Sequence, residues 1–143
     1  VLRPDANGAA ITSALIGGAA NYVSEVDESD GSIALYRPDI AVVTNISLDH
    51  KSLDELHMLF GDFAARARTA IVNADDPESA PLITDKSVTF GFADTATLRA
   101  SDYTALPNGC RFTLHADGNS CDVRLKMPGR HNVANALAAL AVA

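Results

Sequence analysis

The sequence is short of the groups that hold a polyanion directly. Its 143 residues carry 11 Lys and Arg against 18 Asp and Glu, a formal net charge of −7 at pH 7. Nonspecific nucleic-acid binding relies on basic side chains neutralising phosphates, so this balance argues against that class. A phosphorylated small molecule held here needs a metal ion or backbone amides. Cysteine is equally scarce: Cys110 and Cys121 form neither a disulfide framework nor a metal-ligand spacing, which leaves the cytosol as the default compartment. No apolar run approaches the roughly eighteen residues of a membrane span. No basic start followed by an apolar segment reads as a signal peptide. What the chain does have is 48% hydrophobic residues, enough to bury one core. Residues 1–20 are rich in Ala, Gly and Asn without periodicity, and the sequence stops at Ala143 inside a helical pattern with no stop signal. Residues 1–143 are therefore expected to be one domain, truncated at both ends.

Patterning sets the fold class. Asn7-Gly8 and Gly17-Gly18 are turn signals. A strand is expected from Asn21 to Val26, and after Arg37-Pro38-Asp39 the apolar run Ile40 to Thr44 reads as a strand buried on both faces. Ser52 with Glu55 makes a capping box, and Leu53, Leu56, Leu59, Phe60, Phe63, Ala64 and Ala67 follow at helical spacing. Gly61 inside that helix costs about 1 kcal/mol relative to Ala, which predicts a close packing partner there. Strands at Thr69–Asn73 and Ser87–Phe92 complete a β-α-β alternation. The fold expected is α/β, a doubly wound, mostly parallel sheet with helices on both faces.

Residues 97–127 alternate without helices and read as a small antiparallel sheet. Asp117-Gly118 separates the run Cys110 to Ala116 from the run Cys121 to Met127, a hairpin signal. For the two apolar sets to share a face, Cys121 must sit opposite Leu114 or Ala116, too far from Cys110 for a disulfide. His115 points to the wet face. The last segment, Pro128-Gly129-Arg130-His131-Asn132-Val133-Ala134-Asn135, opens an Ala/Leu helix that is apolar on nearly every side and is expected to be buried. Asn132 and Asn135 stand where an N-cap and its N3 partner would, so helix capping competes with ligand binding as their role.

Two stretches stand out for chemistry. Glu25-Val26-Asp27-Glu28-Ser29-Asp30 and Thr44-Asn45-Ile46-Ser47-Leu48-Asp49-His50 each follow an apolar run. In an open parallel sheet ligands collect at the carboxyl ends of strands. One end rich in carboxylates and one ending in Asp-His suit a hard cation, although two solvated acidic loops fit the same residues.

These stretches, with Asn73-Ala74-Asp75-Asp76-Pro77 and Pro128-Gly129-Arg130-His131-Asn132-Val133-Ala134-Asn135, occur in an order that resembles the central domain of the Mur ligases. These are the ATP-dependent amide ligases of peptidoglycan precursor synthesis. The form Asp-Glu-Ser-Asp after Glu25 is most similar to the branch that adds L-alanine to UDP-N-acetylmuramate. The resemblance implies ATP and Mg²⁺ as cofactors, with a UDP-sugar carboxylate and an amino acid as substrates. It implies that Glu25 ligates magnesium beside the ATP phosphates. His50 would ligate a second magnesium that also touches the substrate carboxylate. Asn135, with His131 and Asn132, would recognise adenine. The implied reaction is attack of the carboxylate on the γ-phosphate, then attack of an amine on the acyl phosphate.

Departures from the family pattern accompany it. The Gly-rich loop ending in Gly-Lys-Ser/Thr is absent and should precede Val1 in the parent protein. Without it, the 143-residue chain by itself is expected neither to hydrolyse ATP nor to form amides. The helix from Ser52 to Ala67 lacks the lysine that sister ligases carry, as in the alanine-adding branch. His50-Lys51-Ser52 is not that branch's usual continuation. A paralogue with another substrate, or a noncatalytic α/β module that binds a nucleotide or partner, stays open on this reading.

Overall fold

A computed structural model describes residues 21–48 and 51–143. The turn signals at Asn7-Gly8 and Gly17-Gly18, and the pair Asp49-His50, lie outside the described residues.

Local chemistry sets the first helix. After strand β1 (Ile40–Val43), helix α1 (Leu53–Arg66) begins where Ser52 Oγ accepts the Glu55 N–H at 3.4 Å and Glu55 Oε2 accepts the Ser52 N–H at 3.0 Å. This is the capping box read from the sequence. The Ser52 amide, then its hydroxyl, hold the Glu55 carboxyl below its ordinary value by stabilising the charged form. Leu56, Phe63 and Ala64 are buried, as the helical spacing predicts.

Gly61 departs from expectation. A Cβ built there meets nothing within 4 Å, so no close partner explains the glycine. Gly61→Ala is therefore expected to stabilise the domain by about 1 kcal/mol, read by urea unfolding. An unchanged or lowered midpoint would count against it.

The strands that follow are β2 (Thr69–Asn73), β3 (Val88–Gly91), β4 (Leu98–Leu106), β5 (Gly109–Ala116) and β6 (Asn119–Leu125), before helix α2 (Arg130–Val142). They form one sheet in the order β1-β2-β3-β4-β5-β6, parallel from β1 to β4 and antiparallel from β4 to β6. The antiparallel part is thus not separate. Phe90 pairs with Leu98 and Gly91 with Arg99, which joins it to the parallel part through β3 and β4.

Helices cover both faces. Val43, Val72, Leu56 and Ala64 share one cluster on the α1 side, while the neighbouring Ile71 packs with Phe90, Phe112, Val133 and Leu137 on the α2 side. Adjacent strand residues point to opposite faces, so this split is what a two-sided parallel sheet requires. The cover is incomplete in two places. Val42 of β1 is 37% exposed, because α2 packs over β2, β3 and β4 and not over β1. The helix α2 buries Val133, Leu137 and Ala138 on one side and leaves Leu140 48% exposed. It is therefore half-buried and not buried all round, since only one layer lies against it.

The hairpin β5–β6 has the register the alternation demands. Leu114 lies opposite Cys121 and Cys110 opposite Leu125, and both cysteines are free. Asp117 and Gly118 have φ of 50° and 73°, the paired left-handed turn that Asp-Gly favours. His115 is more engaged than a wet-face residue. Its Nε2 lies 2.8 Å from Ser101 Oγ, which donates to Asp102 Oδ2 at 2.6 Å. That hydroxyl is the main reason the Asp102 carboxyl sits below its ordinary value.

The strand expected at Asn21–Val26 is absent. Residues 21–27 have no regular structure, and Tyr22 and Val23 are 87% and 89% exposed. A short apolar run becomes a strand only when pairing and burial offset the entropy of ordering it. Among the described residues no strand pairs with it, only Val26 is half-buried, against the cluster of Ile33, Ala41 and Phe63, and β1 is the edge of the described sheet.

Candidate functional site

The parallel strands end together and leave their loops on one side of the sheet. After β1 the chain turns at Thr44-Asn45-Ile46, and two residues beyond β2's last apolar position hold that turn. Asn73 Nδ2 donates to Thr44 O at 2.8 Å. Asp76 Oδ2 accepts the Ile46 N–H at 2.9 Å and a short hydrogen bond from Ser79 Oγ. Asp75 works in the opposite direction along the sheet. Its carboxylate accepts the Phe92 N–H at 2.9 and 2.8 Å and the Ala93 N–H at 2.7 Å, so it fixes the loop after β3. Asp75-Asp76-Pro77 is a strand-ending turn and also the clasp for two neighbouring loops.

Helix α2 meets these strand ends with its first turn. Gly129, at φ 100°, precedes the first helical residue and supplies no side-chain cap. Capping by Asn132 and Asn135 is therefore ruled out, because both lie inside the helix. Asn132 instead folds back, its Nδ2 donating to Pro128 O at 2.6 Å. His131 and Asn135, one turn apart, face the strand ends.

Between them lies a cleft of about 380 Å³ lined by Thr44, Asn45, Asn73, Phe90, His131, Ala134 and Asn135. Phe90 lies fully buried beneath the cleft, and the amides of Asn45 and Asn135 supply donors and acceptors, while that of Asn73 is engaged with Thr44 O and the Asp75 N–H. Such a lining suits a flat polar heterocycle. Of the three residues expected to recognise a base, His131 and Asn135 are brought together here and Asn132 is not. Thr44, Asn45, Asn73 and Phe90 form the opposite wall. The sequence marked Thr44-Asn45 as a strand end and Asn73 as the start of the Asn73–Pro77 motif, while Phe90 carried no signal beyond its place near the end of β3.

The acidic stretch lies near the same end. Glu25 is exposed. Asp27 Oδ1 accepts the Ser29 N–H at 2.7 Å and Asp30 Oδ1 the Ser32 N–H at 2.8 Å. The Ser32 amide is the chief cause that lowers the Asp30 carboxyl from its ordinary value. Lys51 Nζ donates to Ser29 O at 2.7 Å, tying the acidic stretch to the loop that runs from β1 to α1. Glu25 does not stand at the end of a strand, contrary to expectation, but its stretch and the segment flanking His50 meet on the carboxyl side of the sheet. His50 itself is outside the described residues. Among the described residues no three His, Cys, Asp or Glu side chains converge as a metal cluster.

Comparison with known proteins decides the family. The Mur ligase middle domain matches residues 10–143. The chain belongs to the Mur ligase family. A curated Mur ligase, the UDP-N-acetylmuramate--L-alanine ligase of Coxiella burnetii, is 36% identical over 145 residues, covering 92% of this chain and 31% of that protein. The chain thus spans about a third of the length of the curated relatives it matches. Among solved Mur ligases, MurF from Acinetobacter baumannii superposes with a TM-score of 0.65 at 26% identity, over 78% of this chain and 26% of that one. MurF from Thermotoga maritima, solved in complex with ADP, shares the fold at a TM-score of 0.66 and 18% identity, over 78% and 29%. No helix among the described residues is long and apolar enough to cross a membrane.

Proposed function

We propose that this chain is the nucleotide-binding middle domain of an ATP-dependent carboxylate–amine ligase that adds L-alanine to UDP-N-acetylmuramate in the cytoplasm. The observation that carries the nucleotide reading is the cleft between Thr44, Asn45 and Asn73 on the strand ends and His131 and Asn135 on α2. Asn135 reads the edge of the base, with His131 beside it. Asn132 supports the helix start through Pro128 and does not touch the base. The choice of L-alanine rests on the Coxiella burnetii relative, whose name states that reaction.

Glu25 and His50 are the proposed magnesium ligands. The donor set fits a hard cation, since Glu25 and its neighbours offer exposed carboxylate oxygens. Mg²⁺, when bound, neutralises the charge that builds as an anionic carboxylate meets an anionic phosphate. The chain's own part is positional. Asp76 holds the loop leading toward His50 through the Ile46 amide, and Lys51 holds the acidic stretch through Ser29 O. Uridine-nucleotide and amino-acid recognition belong to other domains of the full-length protein.

Asn135→Ala tests the cleft. Asn135 is exposed and makes no cap, so the fold should survive and the melting temperature stay unchanged. ATP binding to the full-length protein, measured by calorimetry, should weaken by about 1–3 kcal/mol, the usual loss for a binding-site hydrogen bond. Unchanged ATP affinity would sink the base-recognition reading. Product analysis with L-alanine, glycine and other amino acids separates the alanine-adding ligase from a relative with another substrate.

A further inference from the structure

Arg130 precedes the cleft residue His131 and does not line the cleft. Its guanidinium carbon stands 3.6 Å from the centroid of the Phe92 ring and 5.9 Å from that of Tyr103. The two rings meet edge to face, 6.4 Å apart at 78°. Tyr103 Oη also accepts the Gly129 N–H at 3.3 Å. Phe92 is itself fixed, because its amide is held by the Asp75 carboxylate. Only glycine fits before it: a Cβ on Gly91, at φ 149°, would lie 2.8 Å from that carboxylate. Contacts therefore run without a break from the end of β2, through Asp75 and Phe92, to Arg130 and the first turn of α2.

We propose that Phe92, Tyr103 and Arg130 form a brace that positions the first turn of α2 for base recognition, with Arg130 as its positioning residue. This rests on the nucleotide reading above. The need for a brace follows from Gly129. That residue has φ 100°, no side-chain cap and a ring, His131, folded against it. Glycine in such a conformation is a joint, and the buried residues nearest to it on α2 begin only at Val133. Arg130 and Tyr103 grip the helix on the joint's own side, where Phe92 and Tyr103 pack half-buried on the edge of the core that buries Val133 and Leu137. A guanidinium stacked on one ring and near a second is held in orientation as well as in place. The consequence is that Asn135 and His131 keep a fixed distance from Thr44, Asn45 and Asn73, and the cleft is formed before ligand arrives.

The test is ADP affinity of the full-length protein by calorimetry, with the melting temperature of each variant alongside. Arg130→Ala should weaken ADP roughly fivefold, the size expected for loss of a cation–π contact. Arg130→Lys, which keeps the charge and loses the planar stack, should recover only part of it. Phe92→Leu should reproduce the loss, and the double variant should show no further loss. In an Asn135→Ala background, Arg130→Ala should change ADP affinity little, because the contact it serves is already gone. A purely structural role would lower the melting temperature and leave the same fivefold effect in both backgrounds. That result, or wild-type affinity in Arg130→Ala, overturns the brace. The two readings fail separably. If Asn135→Ala binds ADP as the parent does, base recognition fails and the brace falls with it. If Asn135→Ala weakens binding and Arg130→Ala does not, the brace alone fails.

Discussion

In the full-length protein, Glu25→Ala or His50→Ala is expected to lower amide formation by at least about two orders of magnitude, the scale on which one group facing transition-state charge acts. The melting temperature should stay near that of the parent. Glu25 is exposed on a stretch without regular structure, so removing its carboxylate deletes no packing. A coupled phosphate-release assay measures the activity. The magnesium concentration needed for half-maximal rate gives the independent readout, since a ligand lost from a metal site raises it. Parental activity in Glu25→Ala would remove the carboxylate from the metal site. It would leave the base cleft untouched, because that cleft is built from other elements.

Gly109→Ala is expected to be the most damaging small change in the antiparallel part. Gly109 begins β5 at φ 142°, and a Cβ there would stand 2.1 Å from the carbonyl oxygen of Leu125 on the paired strand β6. A backbone atom cannot swing aside as a side-chain tip can. Left-handed strain and overpacking together should cost about 3 kcal/mol, which is roughly 10 °C of melting temperature for a domain of this size. Differential scanning calorimetry reads it directly. Gly118→Ala offers the contrast, because a Cβ there meets nothing within 4 Å and only the φ of 73° is unfavourable. A shift at Gly109 no larger than at Gly118 would show that β6 yields easily.

The elements legible in the sequence are those fixed by near neighbours. Ser52 and Glu55 are three residues apart, and their reciprocal hydrogen bonds start α1 where the pattern puts it. The β5–β6 register follows from alternation and a two-residue turn, so Leu114 opposite Cys121 could be read directly. Asn21–Val26 carries a short apolar run and forms no strand, because an apolar run does not supply a partner. The cost of a glycine in a helix predicts a close neighbour at Gly61, and none lies within 4 Å of its built Cβ. The space around it is set by elements distant in sequence. The same holds at the cleft. His131 and Asn135 share a helix face by spacing alone, but the wall opposite is assembled by long-range bonds. Asp76 reaches the Ile46 amide 30 residues back, and Asp75 reaches the Phe92 amide 17 residues on. Asn132 matched a cap position and was misplaced because Pro128-Gly129 had already opened the helix.

The order of the strands also says how the domain can be made. From β1 to β6 the sheet runs in chain order, so each new strand docks against the one translated just before it. Among the described strands none has to be threaded between two that are already paired. Each pairing closes only the segment between consecutive strands, so none waits for a later part of the chain. Translation delivers about 5–20 residues each second. At that pace β1, α1 and β2 can assemble while the last hairpin is still in the ribosomal tunnel. That hairpin then closes on a scale of about 1–10 μs. The growing edge is always the newest strand, so assembly of the sheet can keep pace with synthesis.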